Sequence, residues 1–411
     1  MPQPTFSVLI PTCDRPSLAV QAARSVLQQT ERDFELVVSD NSVSATAAAH
    51  AHRALADLFQ GTAAYRYIRP PTHISMPDHW EWASLQTRGE YLLVLTDRFV
   101  LRPSALKLLR NLIEVPDTPD VLTWNGFTSL SPWGTIGGEV PSGLIERRRS
   151  IPALQEYLDM KTAASTPIWR NSLPRTICNC FSARVARRVR ERNGRLFCPI
   201  CPDYTSAFHL LAHSRSYTYI DRPLSLSHGR SSNGARTLLR PGHADRFAKS
   251  VGKEDWVSEF CLPFRSITNM IMYDFLEVAR RERDLLGALN FDRGRLIVAN
   301  LHELDRADEG GAAWNTSEAR SALLSHVPRL PKASQDVVHS ELARMAEQGC
   351  VFKRARRLHA RLQGSRVFLR CSDAIRSFQA KLAGATVYRD AVQAAAETDS
   401  LVWEQPTELP H

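Results

Sequence analysis

Acidic, basic and hydroxyl side chains recur where apolar runs give way to turns. Thr12, Asp14 and Arg15 follow Phe6-Ser7-Val8-Leu9-Ile10, Asp40 follows Phe34-Glu35-Leu36-Val37-Val38-Ser39, and Asp97 and Arg98 follow Tyr91-Leu92-Leu93-Val94-Leu95. A carboxylate facing a base edge accepts hydrogen bonds from ring N–H and amino groups, and a guanidinium pairs with phosphate. Taken singly, Asp14 and Asp40 suit a helix cap as well as a ligand contact, and Asp97 with Arg98 suits a surface ion pair. Their recurrence at successive strand ends favours a ligand. Farther along, Cys201-Pro202-Asp203-Tyr204 opens a helical pattern, and His228 and Arg230 stand at the head of the polar loop Ser227 to Gly234.

The elements that must carry these groups alternate. Short β-branched runs end in turn residues and lead into helical spacing, as at Leu18, Ala22, Ser25, Val26 and Gln29. A second helix is expected over Ala45 to Phe59, a strand over Tyr65 to Ile68, a third helix over Pro77 to Thr87 and a fourth over Ser104 to Ile113. Tyr91 to Leu95, a continuous apolar run after Gly89, suits a strand buried on both faces. This order predicts a doubly wound, mostly parallel α/β sheet, whose ligands sit beyond the carboxyl ends of its strands. No Gly-x-Gly-x-x-Gly follows the first strand and no Gly-x-x-x-x-Gly-Lys-Ser/Thr occurs, which argues against a dinucleotide fold and a P-loop. Loops and short strands bordering a cleft are expected between Val115 and Pro174, where Trp124, Trp133 and Trp169 suit either core packing or stacking on a sugar or base. Tyr217 to Ile220 alternates like a strand.

After about residue 245 strand patterns of that quality stop. Trp256 to Leu286 reads as one long helical pattern, with others at about 316 to 325, 333 to 348, 351 to 362 and 365 to 397. The expected organisation is an α/β domain over 1–244, an all-helical domain over 245–400 and a flexible tail over 401–411. Fifty-two Lys and Arg against 43 Asp and Glu give a net charge of +9, which suits phosphorylated substrates, anionic lipid or nucleic acid without choosing among them. Between Arg344 and Lys381 the chain has ten Lys or Arg and only Glu347 and Asp373 as acids. A solvated helix face is the default for such a run, and contact with an anionic membrane is the alternative. The start lacks a basic, signal-like region and no apolar run is long enough to span a bilayer, so a cytoplasmic protein, soluble or peripheral at the inner membrane face, is expected. Cys178-x-Cys180 and Cys198-x-x-Cys201 suit buried thiols better than zinc knuckles, since no glycine shapes either turn.

Phe6 to Pro16, Ser25 to Thr30 and Phe34 to Ser42 together resemble the opening of the family 2 glycosyltransferases, which have the GT-A fold. Gly89 to Pro103 is similar to that family's strand leading into its Asp-x-Asp motif. Cys201 to Tyr204, followed by Tyr219 to Leu224, is similar to its acceptor-side segment. The resemblance covers roughly residues 5 to 235 and is specific in the first hundred; the helical region has no counterpart in it.

The resemblance implies transfer of a sugar from a nucleotide-diphosphate donor to a hydroxyl of a carbohydrate or lipid-linked acceptor, usually with inversion. It assigns Thr12, Asp14 and Asp40 to the donor's nucleoside and Asp97 to its ribose and diphosphate, with Arg15 and Arg98 beside them as further donor-binding candidates. Asp203 becomes the general base, for which an N-cap is the structural alternative. His228 and Arg230 fall where the family often contacts diphosphate or metal. In the family a second aspartate lies one or two positions after the first and holds a divalent cation; here those positions are Arg98 and Phe99. Weak or absent dependence on manganese or magnesium is therefore expected, with Arg98 in place of the ion; the rival is a metal on Asp97 and His228. A catalytically weak scaffold or nucleotide-sugar-binding protein is the alternative function. No nucleic-acid partner is expected.

Overall fold

A computed structural model describes residues 2–60, 65–124, 129–131, 135–137, 142–161, 173–228, 243–262, 266–309, 316–347 and 386–402. Twelve strands lie among them: β1 (Phe6–Thr12), β2 (Phe34–Asp40), β3 (Tyr65–Ile68), β4 (Tyr91–Val94), β5 (Phe99–Leu101), β6 (Val121–Trp124), β7 (Ser129–Leu130), β8 (Ile136–Gly137), β9 (Ile145–Arg149), β10 (Asn179–Ser182), β11 (Ser216–Ile220) and β12 (Ser225–Ser227). Eight form a sheet in the order β3-β2-β1-β4-β10-β6-β11-β9, and four form a small sheet in the order β5-β12-β7-β8. The β3-β2-β1-β4 half is parallel, as is the β6-β11 pair, whereas β10 and β9 run antiparallel to their neighbours.

The parallel half has helices on both faces, which is why its strands read as unbroken apolar runs. Every residue of β1 and β2 is buried. Val8 and Ile10 face Ala22, Val26, Ala51 and Leu55 of the helices Pro16–Leu27 and Ala45–Leu58, while Leu9 joins the opposite cluster with Trp80, Phe208 and Phe275. This alternation is the two-residue period of a strand between two layers. Gly89 lies so close to β1 that an added Cβ would come within 2.5 Å of the Ser7 nitrogen. The same approach lets Gly89 donate to Ser7 Oγ at 2.7 Å, fixing where β4 enters the sheet.

The second of these clusters continues into the helices after residue 245, from Ile271 and Phe275 to Leu301, Leu323 and Val338. Buried Glu282 ties this region to the ends of the helices Ala183–Asn193 and Pro202–Ala212: it accepts from Asn193, contacts His213 Nε2 at 2.8 Å and pairs with Arg192 at 2.8 Å. Although burial opposes its charge, hydrogen bonds from His209, His213 and Asn193 hold its carboxyl well below the usual range.

Several element boundaries differ from the sequence reading. The Trp256 to Leu286 pattern is broken into Trp256–Glu259, Ile267–Arg281 and Arg283–Leu286, because Ser266 and Glu282 stand as caps between the pieces. The helix Ser150–Lys161 occupies ground read as loops and short strands. The helices Ala183–Asn193 and Arg293–Glu309 and the strand β10 had no place in the sequence reading. The pattern expected to run from 365 to 397 is not helical at 386–390, since the Asp390 side chain accepts from Gln393 N and starts a new helix, Ala391–Glu397. Residues 348–385, with most of the basic stretch, lie outside the described residues, as do Trp133, Trp169, Arg230 and 403–411. Trp124 is a core side chain, buried and donating to Ser225 Oγ at 3.0 Å. Cys178, Cys180 and Cys198 are buried free thiols, and no cluster of His, Cys, Asp or Glu suited to a metal occurs among the described residues. None of the described helices is long and apolar enough to cross a membrane.

Candidate active site

The parallel register places Thr12 beside Asp40, and the loop after β4 brings Asp97 back to Thr12. Asp97 is fully buried: its Oδ2 accepts from Thr12 Oγ1 at 2.8 Å, and its Oδ1 lies 2.6 Å from a guanidinium nitrogen of Arg15. Burial pushes its carboxyl up to about 6, while Arg15, Thr12 and Arg98 pull the other way. Arg15 is 41% exposed, so one end of this pair is wet and the other is dry.

Asp40 is also buried, and both of its oxygens are engaged. Oδ1 accepts from Ser42 N at 2.8 Å and from the Ser42 hydroxyl, an Asx turn, and Oδ2 accepts from Tyr67 at 2.6 Å. Asp14 has a left-handed backbone, φ 54°, and its Oδ1 accepts from Ser44 N at 2.9 Å, at the head of the helix Ala45–Leu58. Both carboxylates thus stand at the expected sheet edge while holding the turn after β2. The neighbouring loop is pinned there too, by reciprocal bonds of 2.8 and 3.1 Å between the Asn41 amide and the backbone of Ile74.

Arg98 follows Asp97 and is half-buried, its guanidinium 5.6 Å from the Phe99 ring and its Nε buried without a hydrogen-bond partner among the described residues. Burial lowers its pKa, Arg15 and Arg175 add to that, and Asp97 and Asp203 oppose it. Asp203 is therefore within electrostatic reach of Arg98. It lies in the first turn of the helix Pro202–Ala212, whose N-cap is Cys201. Burial pushes the Asp203 carboxyl up, and Arg175 and Arg98 restrain the shift. Arg175 reaches Tyr204 at 3.4 Å and sits 5.6 Å from its ring centroid. His228 N donates to Arg98 O at 2.9 Å, and burial keeps its imidazole below the ordinary range. Thr12 and Arg15 thus contact Asp97, the His228 backbone bonds to that of Arg98, and Asp203 is coupled to Arg98 by charge, with Asp14 and Asp40 along the same sheet edge.

For the rival reading, a metal on Asp97 and His228, the carboxylate pairs with Arg15 at 2.6 Å, while His228 Nε2 is buried without a hydrogen-bond partner among the described residues.

Two residues here escaped the sequence reading. Arg175 carries no motif, and only the fold brings it to Asp203. Asp274 could have been noticed as a lone carboxylate on the apolar stripe Ile267, Ile271, Phe275, Val278. It is fully buried and accepts from Ile200 N at 2.6 Å and Cys201 N at 2.7 Å, so it anchors the backbone that presents Asp203. Burial pushes its carboxyl up to about 8, Asp203 adds to this, and the two backbone bonds oppose it. A group whose folded pKa lies above its unfolded value of about 3.9 binds the extra proton in the native state, so its contribution to stability falls as pH rises from about 4 to about 8. Urea unfolding at pH 4.5, 6 and 8 should show this decline in the wild type and a flatter profile in Asp274→Asn. Parallel profiles would exclude it.

No protein-family model matches the chain, and no curated protein matches it in sequence. Among solved structures it is similar to S. aureus TarS, with a TM-score of 0.43 and 14% identity over 82% of this chain. That match spans 55% of the TarS chain, about half its length. For TarS 1-349 in complex with UDP-GlcNAc the TM-score is 0.43, with 15% identity over 82% of this chain and 91% of that one. The mannosyltransferase PcManGT from Pyrobaculum calidifontis, in complex with GDP-Man and Mn2+, gives a TM-score of 0.41 and 10% identity over 88% and 87%.

Proposed function

We propose that the chain is a glycosyltransferase of GT-A type, moving a sugar from a nucleotide-diphosphate donor to an acceptor hydroxyl with inversion. The observation that carries this reading is the contact of Thr12 and Arg15 with Asp97 at the carboxyl ends of β1 and β4, with Arg98 next in the chain and Asp203 coupled to it by charge. Asp14 and Asp40 shape the nucleoside end, and Arg15 and Arg98 face the diphosphate. Asp203 takes the proton of the acceptor hydroxyl as that oxygen bonds to the anomeric carbon, and the bond from that carbon to the diphosphate breaks on the opposite side. Its raised pKa suits this task, because a weakly solvated carboxylate is a stronger base than an exposed one. Arginine donors meet the charge that grows on the leaving diphosphate.

Thermal shift against a panel of nucleoside diphosphates and their sugars tests the donor. The uridine and guanosine compounds named with the similar structures come first. A ligand at a hundred times its Kd stabilises the native state by about 2.7 kcal/mol. A panel with no shift at all would remove the reading.

A second reading, binding of a nucleotide sugar without turnover, is favoured by one observation: both Asp97 oxygens are already taken by Thr12 and Arg15. Donor binding with neither transfer nor hydrolysis would select it.

A further inference from the structure

The chain's last described segment returns to the site from nearly three hundred residues away. The helix Ala391–Glu397 packs Ala391, Val392, Ala394 and Ala395 against Val100 of β5 and Leu226 of β12, which are register partners in the small sheet. Two polar contacts beside this patch are reciprocal. Arg102, fully buried, donates to Thr398 O and Thr398 Oγ1 at the carboxyl end of that helix, and to Pro223 O at 2.6 Å. Asp399 returns the contact, accepting from Ser104 N at 3.0 Å and Ser104 Oγ at 2.8 Å, at the N-cap of the helix Ala105–Ile113. A cation therefore sits at the negative end of one helix and an anion at the positive end of the other. Asp399 is also the main charge opposing the burial that lowers the Arg102 pKa.

What the clasp holds matters for the site. β5 begins immediately after Arg98, β12 ends immediately before His228, and His228 N bonds to Arg98 O. These two strands are short, three residues each, and their outer face has no other helix among the described residues than Ala391–Glu397 in its cluster. A pair of three-residue strands has few hydrogen bonds with which to hold two side chains still. We infer that Arg102 and Asp399 are positioning residues, and that the segment 386–402 locks β5 against β12 so that Arg98 and His228 are held at the diphosphate position. This inference rests on the proposed donor site and adds to it a structural part contributed by the far end of the chain.

The test uses the whole 411-residue chain. In Asp399→Ala, hydrogen exchange should quicken at 97–101 and 225–228 while β1 and β2 stay protected. Affinity for a nucleoside diphosphate should fall about 10- to 100-fold, with binding of the bare nucleoside unchanged, the scale expected when an ångström of misplacement enters a preorganised site. Asp399→Asn keeps an acceptor for Ser104 and should restore most of the loss, which general destabilisation would not predict. Val392→Ala thins the apolar half of the contact and should move the same two readouts in the same direction if Asp399→Ala does not fold. Faster exchange at β5 and β12 with diphosphate affinity unchanged would overturn the inference, as would unchanged exchange there. Wild-type protein that binds no nucleoside diphosphate would instead overturn the proposed function.

Discussion

Asp203→Asn is expected to bind donor as the wild type does and to transfer sugar about two to four orders of magnitude more slowly, the usual consequence of losing a general base. The structural alternative predicts a different pattern. Asp203 stands in the first turn of the helix Pro202–Ala212, where a carboxylate contributes about 0.3 to 1 kcal/mol through the helix dipole. An asparagine variant that melts slightly earlier but turns over normally would assign the residue to the helix. The pH profile adds a second discriminator. Arg175 is the first positive charge restraining the rise of the Asp203 pKa. Removing it in Arg175→Met should push that pKa higher, so that the base is ionised only at more alkaline pH and the acid limb of the rate profile moves up. A rate loss with an unmoved acid limb would indicate that Arg175 acts on something other than Asp203.

The parallel half of the sheet was legible because its physics is local. Continuous burial on two faces demands continuous apolar runs, and β1, β2 and β4 supply them within a hundred residues. Their ends then had to converge, so Thr12, Asp40 and Asp97 could be found together before any contact was known. The antiparallel insertion of β10 between β4 and β6 was not legible. Asn179-Cys180-Phe181-Ser182 is four residues long with two polar ends, too short for a period to declare itself. Arg175 and the Arg102–Asp399 clasp were hidden for a related reason, since each depends on residues distant in sequence meeting through the fold. The roles of Asp14 and Asp40 show the opposite limit. Sequence offered a helix cap and a ligand contact; Arg15 and Ser44 cap the two helices instead, and both carboxylates make turn contacts at the edge where a ligand would lie.

The largest remaining effect should appear when charge at the diphosphate position is removed. Breakage of the bond to the anomeric carbon leaves a full negative charge on the departing diphosphate, and something cationic must be there before it forms. Arg15 pairs with Asp97 and Arg98 follows it in the chain, and Arg98 has a buried Nε with no hydrogen-bond partner among the described residues. A polar atom left buried and unpaired costs free energy, a cost that a bound phosphate oxygen would relieve. Asp97 already contacts Thr12 and Arg15, so a cation at its Oδ1 would have to displace the Arg15 guanidinium. We therefore expect a chelator to leave transfer nearly unchanged, and Arg98→Ala to slow it by about two to three orders of magnitude, the scale of removing one preorganised donor from a developing anion. Arg98→Lys should recover only part of this, because an ammonium keeps the charge but lacks the planar fork. Transfer should be assayed for each variant with chelator, without it, and after manganese is restored. Activity that disappears with the chelator, returns with manganese and survives Arg98→Ala would show that an ion, and not this arginine, meets the leaving group.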